Sequence, residues 1–341
     1  MKQIGIGVIG LGEMGLSHAN IYAQLPDVRL IGIYDINSAL ASTIAQRLGT
    51  QAFPSLEALL AAPEIEAVSI CTPDNLHYES TVQALNAGKH ILLEKPLTVD
   101  LTEGRELVRR AEQSPQVFMV GHVLRFDPRY YLTRQEVAEG NIGDLIHLYA
   151  RRNNLLTNAR RLRGRTSVAM FLGVHDIDVM LWLMESSVET VYASATSNLL
   201  KDLGVADTIM ATLRFTSGAV GALEVSWVLP EQFVSGIDAR LEVMGTQGAI
   251  YVDIHNQGLR VFKHGQLTYP DISYGTQLNG RFIGILKEEL AEFILAIKEG
   301  RPSPVSAREA YRAVEVAVAI EESARTGEVV RLATEKRAQQ P

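Results

Sequence analysis

Over the first 122 residues, short apolar runs alternate with stretches in which apolar side chains recur three and four positions apart. Residues 4–9, 28–34, 67–71, 90–93 and 117–120 are short, mostly apolar runs rich in Ile, Val and Leu, the pattern of strands buried on both faces. Residues 37–48, 75–87 and 100–113 carry the helical spacing and end near Gly or Pro, where a helix stops. This alternation predicts a parallel, doubly wound sheet with crossover helices. After residue 140 the rhythm changes. Residues 145–150, 188–196, 208–215, 219–227, 239–244 and 249–254 are alternating or β-branched runs joined mostly by short polar or glycine-containing links. Strands that follow one another without crossover helices predict a large, mainly antiparallel sheet. Two amphipathic helices, over 283–298 and 307–325, close the chain. Together with Trp182 and Trp227 they are read as core or subunit packing. The expected division is an α/β domain over 1–122, an α+β domain over 123–334 and a disordered polar tail over 335–341.

Composition narrows the function. With 341 residues the chain is long enough for two domains, and 47% hydrophobic with 21% charged residues is the profile of a folded globular protein. Lys and Arg number 32 against 39 Asp and Glu, a net charge of −7, the wrong sign for general nucleic-acid binding. The single Cys71 excludes an internal disulfide and a multi-thiolate zinc site. The start of the chain carries no export signal, and no apolar run approaches the roughly 18 residues that span a bilayer. A cytoplasmic protein without membrane or nucleic-acid partners is expected.

The first candidate site follows the first strand directly. In Gly10-Leu11-Gly12-Glu13-Met14-Gly15, the first glycine permits a tight turn, the second lets the backbone approach a pyrophosphate, and the third lets helix and strand pack closely. The helix start adds free N–H groups and a positive dipole end. Asp35, 20 residues after Gly15, closes the second predicted strand, where a carboxylate accepts from ribose hydroxyls and repels a 2′-phosphate. NAD is therefore the expected cofactor, with NADP as the alternative. Two further segments end strands of the same sheet: Thr72-Pro73-Asp74-Asn75-Leu76-His77 and Glu94-Lys95-Pro96. Ligands of open parallel sheets bind beyond the carboxyl ends of the strands, so Thr72, Pro73, Asn75, His77, Glu94, Lys95 and Pro96 should border that crevice.

These residues resemble the Gfo/Idh/MocA oxidoreductases over nearly the whole chain. The resemblance runs through the glycine loop, Thr72-Pro73 with His77, the signature Glu94-Lys95-Pro96, Gly121 through Arg125-Phe126 and Pro128, the segment His175-Asp176-Ile177-Asp178, Gly245-Thr246-Gln247-Gly248 and the closing helix. It implies a Rossmann domain and a second domain whose open sheet carries subunit contacts. It also implies NAD(P)-linked oxidation or reduction of a sugar, cyclitol or related polyol, in a homodimer or homotetramer.

Oxidising a secondary alcohol requires that the hydroxyl proton be removed as the hydride leaves. By the resemblance, Lys95 is the lysine that bridges cofactor and substrate, and His175 the histidine that exchanges the substrate proton. On a helix, Asp178 shares a face with His175 and Asp176 does not, so Asp178 is the expected orienting carboxylate. Where many relatives carry an acid four residues before the histidine, this chain has Phe171, which reduces the usual trio to Lys95 and His175; either His122 takes over part of the relay or the chemistry is slower or different. Arg125 and Asn153 match positions that contact substrate hydroxyls in relatives. His175 and Asp178 could also be read as metal ligands, but no second pair has fitting spacing and no metal is expected. Arg151, Arg152, Arg160, Arg161, Arg163 and Arg165 fall in a stretch without acids. They suggest either an anionic substrate such as a nucleotide sugar or uronate, or a set of ion pairs. Two other readings stay open: transient oxidation that drives elimination or glycoside cleavage with recycled NAD, and a non-catalytic NAD-binding sensor or assembly subunit.

Overall fold

The computed structural model describes residues 3–333 apart from 256 and 264. The chain forms two compact units, one of residues 1–126 with 273–311 and one of 127–272 with 312–341. The first break thus falls four residues from the expected boundary at 122. Residues 273–311, expected with the second domain, count with the first unit. The tail expected over 335–341 lies outside the described residues.

The first unit is built on six parallel strands: β1 (Ile4–Ile9), β2 (Val28–Tyr34), β3 (Gln51–Ala52), β4 (Ala67–Ile70), β5 (His90–Glu94) and β6 (Phe118–Gly121). All six residues of β1 and all four of β4 are buried, which explains why these runs are apolar without alternation. Connecting them are α1 (Glu13–Tyr22), α2 (Ser38–Leu48), α3 (Leu56–Ala61), α4 (His77–Asn86) and α5 (Leu101–Gln113). Their starts follow local chemistry. Asn37 accepts from the Leu40 amide to cap α2, and Asp100 accepts from Thr102 and Glu103 to cap α5. The strand order is β3-β2-β1-β4-β5-β6, so the topology reverses between β1 and β4 and opens a crevice at their carboxyl ends. A hairpin of β15 (Gln277–Leu278) and β16 (Arg281–Phe282), numbered in chain order, and α9 (Ile285–Glu299) also belong to this unit.

The second unit carries a seven-stranded sheet in the order β12-β11-β7-β10-β9-β8-β17. Its strands are β7 (Leu145–Leu155), β8 (Val188–Thr196), β9 (Thr208–Phe215), β10 (Val220–Leu229), β11 (Ile237–Gly245), β12 (Ala249–Asp253) and β17 (Val330–Arg331). Every pairing is antiparallel except β10 with β7. In β9 buried and exposed residues alternate strictly, so one face of the sheet is core and the other is open. Strand β7 runs five residues beyond its expected end, through Arg151-Arg152-Asn153-Asn154-Leu155. That polar run reads as a loop, but β10 and β11 flank it and supply partners on both sides. Also in this unit are α6 (Pro128–Ala138), α7 (Leu156–Leu162), the hairpin of β13 (Val261–Lys263) and β14 (Gln266–Thr268), and α8 (Val174–Met184). A wide turn of π-helix over Ala169–Gly173 leads into α8. The closing helix α10 (Ala307–Thr326) contains the third break between the units. Among the described residues, no helix is long and apolar enough to cross a membrane.

Candidate functional site

The carboxyl edge of the first sheet brings together the glycine loop, Asp35, the Thr72 turn and Glu94-Lys95-Pro96. Gly10 has φ of 85°, and a Cβ there would lie 2.8 Å from the Cys71 carbonyl oxygen; a Cβ on Gly15 would lie 1.8 Å from the Gly10 oxygen. Both sites exclude any side chain. Gly12 differs: a Cβ on it would meet nothing within 4 Å. It is the N-cap of α1 and provides no side-chain cap, so the first-turn amides open onto free space. This is a cradle for a diphosphate. Asp35 takes the Leu11 amide on Oδ2 at 2.7 Å and the Asn37 amide on Oδ1 at 2.8 Å, which fixes its carboxylate beside the loop. Around the loop Glu13 is exposed, Leu11 is buried, and the Met14 sulfur accepts from the Tyr274 hydroxyl at 3.6 Å. These residues fit a dinucleotide with a free 2′-hydroxyl.

His77 ties the next two segments together. Its ring is buried at the start of α4, with Nδ1 2.7 Å from the Pro96 carbonyl oxygen and Nε2 3.0 Å from that of Thr72. Burial pushes the imidazole pKa down, and the two carbonyls oppose that shift. One side chain therefore links the end of β4 to the corner after β5. Pro73 and Asn75 are exposed on that turn, and the Asn75 amide donates to the buried Asp74 carboxylate. Lys95 is half-buried, and the peptide bond between it and Pro96 is cis. Glu94 is buried, with Oε1 3.1 Å from Nε2 of His18 on α1. Burial would raise the Glu94 pKa, but His18, Lys95 and His77 hold it below the ordinary carboxylate value. His122 and Arg125, after β6, are both buried. The Arg125 guanidinium donates to Glu309 Oε1 at 2.8 Å and to the Pro304 carbonyl at 3.3 Å.

In the second unit, His175 is half-buried in the first turn of α8. Its neighbour Asp176 is buried and accepts two bonds from Arg152 of β7, at 2.6 Å and 3.0 Å. Arg152 also donates to the Tyr130 hydroxyl at 3.3 Å. Burial pushes the Tyr130 pKa up to about 12; burial also opposes the Arg152 charge, but Asp176 outweighs it and raises that pKa. Asp178 is fully buried on the same helix. Side chains alternate across a strand, so Asn153 faces away from α8. There Asn153 donates to Glu224 at 2.8 Å and accepts from Ser226 at 2.8 Å, while Glu224 accepts from Tyr149 at 2.6 Å. Phe171, within the π-helical turn, meets the buried Trp227 edge-on, with ring centroids 5.9 Å apart.

The run of arginines that looks unopposed in sequence meets acids from elsewhere in the fold. Arg151 pairs with Asp238, Arg152 with Asp176 and Arg160 with Asp202. Sequence reasoning also missed a polar cluster in the first unit, where His18 and Glu94 meet Glu289 of α9. The signal was present. Glu289 interrupts an apolar stripe formed by Leu286, Leu290, Phe293 and Ile294, all buried at helical spacing. Among the described residues this is the one grouping of metal-ligand type, and it does not include His175.

The first unit's strand order, glycine cradle and strand-end acid define a dinucleotide-binding protein. Its sequence matches the model of an oxidoreductase family with an NAD-binding Rossmann fold over residues 4–122, and that family's C-terminal α/β domain over residues 134–332. The chain belongs to the Gfo/Idh/MocA oxidoreductase family. It is similar to the myo-inositol 2-dehydrogenase of Thermotoga maritima, 28% identical with 93% of this chain and 95% of that protein covered. It is also similar to the UDP-N-acetylglucosamine 3-dehydrogenase of Acidithiobacillus ferrooxidans, 31% identical with coverages of 89% and 91%. Among solved structures, a myo-inositol dehydrogenase from Corynebacterium glutamicum superposes with a TM-score of 0.83 at 25% identity, covering 98% of this chain and all of that one (100%).

Proposed function

We propose that this protein is an NAD(H)-dependent dehydrogenase that moves a hydride between nicotinamide and a secondary alcohol or ketone of a sugar or cyclitol. One observation carries the reading: the glycine cradle, the Asp35 carboxylate and the Lys95 amine occupy the carboxyl end of one sheet, with His77 bridging the Thr72 turn to the Lys95 corner. Bound NAD supplies the hydride acceptor. The amides of α1 hold its diphosphate and Asp35 its adenine-side ribose. Lys95 is the candidate donor to the reacting oxygen, and His175 the candidate acceptor of the hydroxyl proton.

A neutral polyol of the inositol class is the favoured substrate. Arg151, Arg152 and Arg160 are already neutralised by acids, which removes much of the case for a phosphate or carboxylate site. The Thermotoga relative's name points the same way. The open face of the second unit's sheet, with Met210, Tyr192 and Tyr251 exposed, is the surface on which a second copy would seat, in a homodimer or homotetramer. A cytoplasmic location fits this role.

The test is a screen followed at the reduced-nicotinamide absorbance, with NAD and NADP side by side against inositols, nucleotide sugars and uronates. Turnover of an inositol with NAD is the expected result, and preference for a nucleotide sugar would move the substrate class. Lys95→Met should lower kcat about 10²- to 10⁴-fold, the usual span for a proton-transfer group, while NADH still binds. Sugar consumption without net NADH would instead indicate redox-assisted elimination. Tight NADH binding with no turnover of any polyol, and no functional loss in the Lys95→Met variant, would indicate a sensor.

A further inference from the structure

Behind the end of β5 the first unit encloses three ionisable side chains, one of them the strand-end Glu94. His18 is fully buried on α1, with Nε2 3.1 Å from Glu94 Oε1 and Nδ1 2.6 Å from the Ser69 hydroxyl and 3.4 Å from the Cys71 sulfur. Glu289 is fully buried on α9, and among the described residues neither of its carboxyl oxygens has a hydrogen-bond partner. One ligand atom each from His18, Glu94 and Glu289 lies within 4.8 Å of the others. Tyr22 is buried one turn beyond His18, its ring edge-on to the imidazole at 6.2 Å.

Two buried carboxyl groups this close cannot both ionise cheaply. Glu94 is the one that loses its proton, because it has an imidazole at 3.1 Å and feels the charges of Lys95 and His77 as well. Glu289 faces His18, the Glu94 anion and Tyr22, none of which supplies it with a paired cation of its own. We propose that Glu289 is carried as the neutral carboxylic acid and that, with His18, it is a positioning residue for Lys95. An uncharged Glu289 leaves the His18 imidazolium paired with the Glu94 carboxylate, and that pair fixes the residue bonded directly to Lys95. On the other side, Pro96 is fixed by its carbonyl contact with His77. Lys95 is thus held between two points, each anchored by a buried histidine. Burial and the Glu94 charge both push the Glu289 pKa well above the ordinary carboxylate value. The positioning half of this inference rests on Lys95 being the reactive amine; the protonation half does not.

The same three donor atoms would suit a divalent cation if both carboxyls were ionised, so the experiment separates a proton from a metal. Full-length wild type, Glu289→Gln and Glu289→Ala are compared. Unfolded Glu ionises near pH 4.3 while folded Glu289 keeps its proton, so above that pH the folded state holds one proton more and loses stability as pH rises. Glutamine does not titrate. The Tm advantage of Glu289→Gln over wild type should therefore widen from pH 5 to pH 8, and the infrared difference spectrum of wild type minus Glu289→Gln at pH 7 should show a protonated-carboxyl stretch. A Glu289→Gln protein that is less stable than wild type by a margin growing with pH, or an infrared difference showing only carboxylate, overturns the protonation claim. So does one equivalent of Zn²⁺ bound by wild type and lost in Glu289→Gln. For the positioning half, the pH profile of Lys95 labelling by an amine reagent, located by mass spectrometry, should match wild type in Glu289→Gln and shift in Glu289→Ala. An unshifted profile in Glu289→Ala overturns it. If wild type fails to bind NADH, the dehydrogenase reading falls while the infrared and thermal arms still decide where the proton sits.

Discussion

Each unit buries a charged pair that lies one residue from a candidate catalytic group. In the first unit the His18–Glu94 pair adjoins Lys95; in the second the Arg152–Asp176 pair adjoins His175. They differ in the kind of cation. Arg152 is a planar fork that meets Asp176 with two bonds, is braced by Tyr130 and stays charged at any pH a protein survives. His18 makes a single contact with Glu94, titrates, and shares its enclosure with a carboxyl in excess. The second centre holds a helix start rigidly. The first can change its charge, and it sits beside the amine proposed to meet the substrate.

The largest effect should come from breaking the permanent pair. Arg152→Met leaves Asp176 buried without its counter-charge, a loss of about 3–5 kcal/mol. Replacing both partners, as Arg152→Met with Asp176→Leu, should recover most of it, because the penalty is the stranded charge. Denaturant unfolding followed by Trp182 and Trp227 fluorescence, both in the second unit, measures this. A loss under about 1 kcal/mol in the single variant would place the pair with surface ion pairs and remove the contrast.

Glu94→Gln keeps the shape of the first centre and deletes its anion. A hydrogen bond to a charged group is worth about 1.5–3 kcal/mol, so the loss should be smaller than for Arg152→Met. It should also depend on pH. The Cys71 sulfur and the Glu94 carboxylate overcome the burial penalty and raise the His18 pKa well above 6.5, so its contribution is complete below that value and fades as pH rises through the folded value. Glu94 has a lowered pKa, so its contribution is present above about 4.3, the unfolded value, and fades as pH falls through the folded one. The Tm gap between wild type and Glu94→Gln should be widest between about pH 5 and pH 7 and shrink on the alkaline side. The gap for Arg152→Met should show no alkaline shrinkage. Parallel profiles for the two variants would show that the centres do not differ in the way proposed.

This contrast also shows what the chain discloses as a string. The cradle was legible because its parts are close in sequence and each has a steric duty: Gly10 at positive φ, Gly15 against the Gly10 carbonyl, and Asp35 at the next strand end. The role of His77 was half legible. Its place on a strand-end turn could be read, but its partners are backbone carbonyls that only the folded sheet presents. Arg152 was misleading, because among five neighbouring arginines without an acid it reads as an anion site, and its partner Asp176 arrives only when α8 packs on β7. Asn153 matches a substrate-contact position by resemblance, and strand alternation sets it on the face opposite α8, bonded to Glu224 and Ser226, two partners that sequence spacing does not disclose. Periodicity reveals a buried face; it does not reveal which distant charge will enter it.

The smallest effect tests whether exposure or chemistry sets the scale. Arg160 pairs with Asp202 through side chains about half exposed, 49% and 60%, so the pair is the solvated counterpart of Arg152 and Asp176. Arg160→Ala should change stability by about 0.2–1 kcal/mol, and less in high salt, because water screens what the interior does not. The same variant weighs the substrate class. If the guanidinium serves only Asp202, KM for an inositol should match wild type. A rise in KM confined to nucleotide sugars or uronates would mean that Arg160 leaves Asp202 to hold an anion, and the second unit would then contain a functional charge as exchangeable as the one proposed for the first.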